Sequence, residues 1–198
     1  MTRCQPVNDR KRLPGCKLIT ANLFLMKNSN TTVGILSDSH GFLDPRVADV
    51  VNQCDYIVHA GDIFNAHVLE QLKPKKELIA VAGNNDYDSF WSEEEIDIVN
   101  ALPNDDQLEL PGGLLVVEHG HRFGNHPEHE QFRDHHQDAR LVVYGHTHHQ
   151  IIDQDAEPWV VNPGASGKVR THGGPRCLIL HASEDEWTFE TFVFDENL

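Results

Sequence analysis

Val33-Gly34-Ile35-Leu36-Ser37-Asp38-Ser39-His40 decides how this chain is read. A short apolar run of this kind suits a buried strand, and two side chains able to hold a cation follow it at once. Alternate residues of an extended chain point the same way, so Asp38 and His40 can face one ion. Taken alone, the motif reads equally well as a capping aspartate beside a surface histidine. Its weight comes from repetition.

Four more stretches follow the same plan. Ala60-Gly61-Asp62 closes the run Tyr56-Ile57-Val58, and Ala82-Gly83-Asn84-Asn85-Asp86 closes the run at 77–82. His119-Gly120-His121 follows Leu114-Leu115-Val116-Val117-Glu118, and Gly145-His146-Thr147-His148 follows Leu141-Val142-Val143-Tyr144. A carboxylate at the end of a strand, as in Asp62, suits a ligand shared by two ions, with a helix N-cap as the alternative. Asn84 offers a neutral amide oxygen to a metal or to a phosphate, with a glycine-asparagine turn as the alternative. Two alternating histidines after a strand are a stronger ligand signal. In this order, each after a strand, the five motifs supply donors for two ions sharing one carboxylate. That is equipment for hydrolysing a phosphate ester with metal-activated water. His59 reads as a backing or core histidine.

Between the motifs the chain alternates strand and helix. Asp44-Pro45 supplies an N-cap and an N1 proline, and Val47, Val50 and Val51 share the face of the helix that follows. A second helix runs through His67 to Leu72 and ends at Lys73-Pro74. This βαβαβ opening implies parallel strands with right-handed crossovers. Pro111-Gly112-Gly113 marks a hairpin between 107–110 and 114–118. A polar helix is expected over about 127–137, with further strands at 150–153, 159–161, 177–181 and 188–194. The fold class is α/β (α+β): two mixed sheets packed as a sandwich flanked by helices.

The 198 residues suit one domain with a tail. Residues 1–30 carry Arg3, Arg10, Lys11, Arg12 and Lys17 and are expected to be a disordered extension, with the domain over 31–198 and Met26 a candidate start. The formal charge of -15 should repel nucleic acid polymers and anionic membranes, and no apolar run approaches the roughly 20 residues of a membrane helix. Cys4, Cys16, Cys54 and Cys177 include no CxxC pair, which excludes a zinc finger and fits reduced thiols in a cytoplasmic protein. Cys54 and Cys177 are expected to act as small core hydrophobes. His126, His129, His135 and His136 read as a solvated helix face. Imidazole and oxygen donors without thiolate suit manganese, iron, zinc or nickel.

With these motifs the chain resembles the calcineurin-like metallophosphoesterase superfamily from about Thr32 to its end. The run Val161-Asn162-Pro163-Gly164-Ala165 looks like the small single-domain phosphodiesterase branch, which also contains the small scaffold subunit of the retromer coat. The resemblance implies a metal-bearing β-sandwich. It assigns Asp38, His40, Asp62 and His148 to one metal, and Asp62, Asn84, His119 and His146 to the other. Asp62, Asn84 and His121 are the expected catalytic residues, with His121 near substrate or a proton donor. The cofactors are two divalent ions, manganese first, with zinc, nickel and iron as alternatives. Metal-bridging hydroxide, available near neutral pH because its parent water has a pKa lowered toward ~7, would attack the phosphorus of a small phosphodiester. A phosphomonoesterase and a non-catalytic scaffold are the rival readings.

Two departures sharpen this. Asn85 stands where many relatives carry a histidine that protonates the leaving group, a loss that the small branch commonly shares. Gly61-Asp62-Ile63-Phe64-Asn65 lacks the arginine of phosphoprotein phosphatases, which argues against a protein substrate. Lys168, Arg170 and His172 follow the 162–167 loop and are candidates to meet substrate. A homo-oligomer is possible on the strength of exposed antiparallel edges.

Overall fold

The computed structural model describes residues 30–196. The extension expected at 1–30 lies outside this range save for Asn30, as do Met26, Cys4 and Cys16.

Among the described residues, ten strands form two five-stranded sheets. In the first, β1 (Thr31–Leu36), β2 (Tyr56–His59) and β3 (Glu77–Ala80) run parallel. They are joined by crossovers through α1 (Pro45–Val51) and α2 (Ala66–Glu70). The last two strands, β9 (Arg176–Ala182) and β10 (Trp187–Val193), return antiparallel on the other side of β1. The second sheet holds β4 (Asp105–Leu110), β5 (Gly113–Glu118), β6 (Leu141–Val143), β8 (Trp159–Asn162) and β7 (Ile151–Asp153), in that order. There β5, β6 and β8 are parallel, and the edge strands β4 and β7 are antiparallel. The mixed sandwich expected from sequence is thus observed.

Alternation along each strand builds the layers. Val33 and Ile35 of β1 point into the space between the sheets, where they meet Val58, Leu115, Val117, Leu141, Val143, Leu178 and Leu180. Leu36 and Ile57 point outward, against Val47 and Val51 of α1 and Val68 of α2. On the opposite outer face, Val116, Val142 and Tyr144 cover Phe132 of α4 (His129–His135). Burying apolar side chains at about 25 cal/mol per Å² drives this arrangement. Asp44 caps α1 as expected, accepting from Arg46 N at 2.9 Å. Cys54 and Cys177 are buried free thiols, whose pKa values burial pushes up to about 11 and about 12.

Sequence reading supplied no element between β3 and β4. The structure has a 3-10 turn at Glu93–Glu95 and then α3 (Ile96–Ala101). Within α3 only Val99 is buried, and Ile98 is 40% exposed, so the apolar period that marks a helix is missing. Among the described residues no helix is long and apolar enough to cross a membrane.

The first crossover needs one close approach. A Cβ on Gly34 would lie 2.7 Å from Val51 Cβ, closer than packed carbons come. Gly34→Ala is therefore expected to destabilise the protein by about 1–3 kcal/mol through overpacking, read as a lower urea midpoint with an unchanged slope. An unchanged midpoint would show that α1 can recede freely.

Candidate metal centre

Every motif singled out above emerges at the same edge of the sandwich, because β1, β2, β3, β5, β6 and β8 all point their carboxyl ends there. Past β1 and β2 the loops keep running side by side: Asp38 N donates to Gly61 O at 3.0 Å, His40 N to Asp62 O at 3.0 Å and Gly41 N to Ile63 O at 2.9 Å. Asp38, His40 and Asp62 are held together by backbone before any ion is considered.

Asp38, His40, Asp62 and His148 form one cluster, with their donor atoms all within 4.8 Å of one another. His148 Nε2 stands 3.0 Å from His40 Nε2 and 3.3 Å from Asp38 Oδ1. The far nitrogen, Nδ1, donates to Val169 O at 2.9 Å, which leaves the Nε2 lone pair aimed into the cluster. Asp38 is fully buried, and neither of its carboxylate oxygens has a hydrogen-bond partner among the described residues. Burial pushes its carboxyl up to about 7, even though His119 pulls the other way. An ionised carboxylate so placed lacks the counter-charge that buried charges require. A cation among these donors supplies it, so the residues fit a metal ion.

A second cluster shares Asp62. His119 Nε2 lies 3.4 Å from Asp62 Oδ1 and 3.2 Å from Asn84 Oδ1, while His146 Nδ1 lies 2.8 Å from the same amide oxygen. His119 Nδ1 donates to Ala60 O at 2.7 Å. Burial works against a charged His119, but Asp62 and Asp38 outweigh it and raise its pKa to about 9. A proton thus resides where the donor geometry suits a cation. Burial also opposes ionisation of Asp62, yet His119 and Asn85 hold its carboxyl well below the usual carboxylate range.

His121 comes beside the second cluster, its ring centroid 5.5 Å from that of His119 and 6.4 Å from that of His146. Its Nδ1 is buried with no hydrogen-bond partner among the described residues, and burial together with His119 lowers its pKa. His59 is a backing residue, as expected: it is fully buried, 3.0 Å from Ser39 Oγ, and burial lowers its pKa to about 3. Of the three candidates after the 162–167 loop, only Arg170 meets a cluster, its guanidinium 2.9 Å from His148 Nε2. Lys168 lies over the Phe42 ring, and His172 stacks on His149.

Several functional neighbours were missed from sequence. Asn85, read only as an absent acid, donates from its backbone N (3.0 Å) and its Nδ2 (2.8 Å) to the two oxygens of Asp62. Asp86 accepts from Ile63 N, Phe64 N and Gly83 N, tying the loop after β3 to the loop after β2. A Cβ on Gly83 would come within 2.2 Å of Asp62 Oδ1, so the glycine is what lets those loops meet. Asn162 Nδ2 donates to Gly145 O and Thr147 Oγ1, fixing the loop that carries His146 and His148. In the sequence, Asn85 and Asp86 show only as the polar run after Gly83, and Asn162 as part of the 162–167 loop. The solvated-face reading of the histidine-rich segment holds for His126 and His135, which are exposed, and needs correction for the other two. His129 bridges Asp153 and Tyr144, and His136 contacts Glu118. They tie α4 to the second sheet because neighbouring polar partners are on that sheet's surface.

Asp38, His40, Asp62, His146 and His148 all have positive φ, between 47° and 68°. Aspartate and histidine enter this region more readily than most residues, but sparsely populated backbone still costs about 1–3 kcal/mol at each position and clusters at functional sites.

A layered sandwich with histidines, carboxylates and an amide gathered at one edge defines a metal-dependent phosphoesterase class. The chain belongs to the calcineurin-like phosphoesterase superfamily, whose family pattern matches residues 32–185. It is 26% identical over 161 residues to a probable metallophosphoesterase of Methanocaldococcus jannaschii, covering 79% of this chain and 76% of the relative. It is 25% identical over 167 residues to a phosphodiesterase of the same organism, covering 78% and 95%. Its fold is similar to wild-type Vps29 of Entamoeba histolytica complexed with zinc, with a TM-score of 0.63, 16% identity and coverage of 84% and 100%. It is likewise similar to an archaeal phosphodiesterase, with a TM-score of 0.60, 23% identity and coverage of 82% and 100%.

Two outcomes test the electrostatics. The Asp38 carboxyl is raised in the fold above its unfolded value, so this group lowers stability as pH rises from about 4 to about 7. Metal-free Asp38→Asn should therefore melt above metal-free wild type at pH 8, by a margin that shrinks toward pH 4, and should gain less from added manganese. A manganese titration in buffers of differing ionisation enthalpy should show protons released below pH 9, with affinity falling as pH falls, because the His119 proton must leave. Melting curves and calorimetry read these directly.

Proposed function

We propose that this protein is a divalent-metal-dependent phosphodiesterase acting on a small phosphodiester. The observation that carries the reading is Asp62, one carboxylate common to two donor clusters that are otherwise built from different loops. Asp38, His40, Asp62 and His148 would hold one ion, and Asp62, Asn84, His119 and His146 the other. Manganese leads, and zinc, iron and nickel suit the same donors; the zinc in the Vps29 relative's structure supports that range. Bound divalent ions would supply an activated water at neutral pH and neutralise charge on the phosphoryl oxygens.

The chain's own residues do the rest. Asn85 orients the shared carboxylate through its amide and backbone N–H. Because that amide is engaged and cannot donate a proton to a leaving alkoxide, esters with leaving groups of low pKa are favoured. His121, whose pKa burial and His119 lower, can hydrogen-bond substrate through its ring N–H, and it would donate a proton to the leaving group only from its protonated form. Arg170, an exposed residue that reaches the first cluster, is a candidate to hold a non-bridging phosphoryl oxygen. The phosphodiesterase relative, aligned over 95% of its own length, supports a diester over a monoester.

Hydrolysis of bis-p-nitrophenyl phosphate by metal-stripped protein, before and after manganese, tests this. Restored turnover is expected, with p-nitrophenyl phosphate cleaved more slowly, and Asp62→Ala and His119→Ala should abolish it while circular dichroism stays native. Normal turnover by both variants would refute the assignment. A folded, metal-loaded wild type that cleaves no ester would favour the scaffold reading.

A further inference from the structure

A row of aromatic rings leads away from the first cluster. The Phe64 ring lies 4.8 Å from that of His40, Phe90 lies 5.0 Å from Phe64, and Tyr87 lies 4.8 Å from Phe90. Phe90 and Tyr87 are 47% and 48% exposed, among the most exposed large apolar side chains described. No core function accounts for them: Trp91, next in sequence, fills the outer layer while Phe90 faces solvent.

Backbone is spent on keeping this row in place. Phe64 has φ 78°, a conformation that a bulky side chain rarely adopts. It is held there by Asp86, whose buried carboxylate accepts from Ile63 N at 2.9 Å and Phe64 N at 2.9 Å. The same carboxylate reaches Gly83 N, at the start of the loop that carries Tyr87 and Phe90. One buried charge thus sets both ends of the row relative to His40.

We propose that Phe64, Phe90 and Tyr87 form a stacking shelf for the base of a nucleotide-type phosphodiester whose phosphate sits at the metal centre. The inference rests on the diesterase reading above and adds its substrate class. The half-exposed rings of Phe90 and Tyr87 meet edge to face at 69°, so one can stack on a planar base while the other flanks it, whereas an alkyl chain would be better served by an enclosed channel. The Phe64 end of the shelf lies against His40, their ring centroids 4.8 Å apart, a span that a single sugar covers. A small nucleotide fits better than a polymer, because the net charge of -15 disfavours a long polyanion.

The decisive comparison is equilibrium binding to the manganese-loaded full chain of adenosine 5′-monophosphate and of ribose 5-phosphate, in which an anomeric hydroxyl takes the place of the base. Calorimetry should show the nucleotide binding about tenfold tighter, the scale of one stacked base. Phe90→Ala and Tyr87→Ala should each shrink that ratio, and Phe90→Leu, which keeps apolar bulk but loses the ring, should shrink it as well. Equal affinities, no measurable nucleotide binding, or a ratio kept by Phe90→Leu would overturn the shelf, as would tighter binding of octyl phosphate than of the nucleotide. Preferential nucleotide binding by a protein that cleaves no diester would uphold the shelf and remove the diesterase reading instead.

Discussion

The Asp62 carboxylate is where the two sheets meet chemically. From the first sheet's side it faces His40 at 3.6 Å, and from the second sheet's side His119 at 3.4 Å. Asn85, on the loop after β3, binds both of its oxygens. Three loops from two sheets therefore agree on one group, and the agreement requires each strand to end at the right depth. Had β1 or β5 stopped a residue earlier, the alternation of side chains would have turned its ligand away from the crevice. The continuous apolar runs of the buried strands set that depth, which is why core packing and site geometry here are one problem.

Negative charge and backbone strain accumulate at this edge together. Asp38 is buried without a hydrogen-bond partner among the described residues, and the loops that carry the donors take left-handed turns at Asp38, Asp62 and His146. Both features oppose folding of the metal-free chain, and both are tolerated because the layers behind are apolar and tightly interleaved. The histidines are restrained in the same spirit. His119 and His148 give their far N–H groups to backbone carbonyls, so the remaining nitrogens need no reorientation to accept a cation.

Much of this was legible in the amino acids. Val33 to Leu36, Leu114 to Val117 and Leu141 to Val143 read as buried strands because parallel strands covered on both faces need no polar alternation, and the donors stood at their ends. What escaped was information carried by contacts distant in sequence. Asn85 and Asp86 look like the tail of a turn until their partners, 23 residues upstream, are in view. Helix α3 has a single buried residue and so no period to detect. His129 and His136 pass for surface residues because the groups that engage them, Asp153 and Glu118, lie on strands elsewhere in the chain.

The parallel directions of β1, β2, β3, β5, β6 and β8 also assign the opposite edge of the sandwich. The hairpin turns at 111–112, 154–158 and 183–186 all fall there, since each immediately precedes a parallel strand or follows the antiparallel β9. Division of labour follows: one rim is bound to its chemistry residue by residue, while the other can change length without disturbing a donor. Fusion to another protein, or acquisition of a new surface over generations, is cheapest on that second rim.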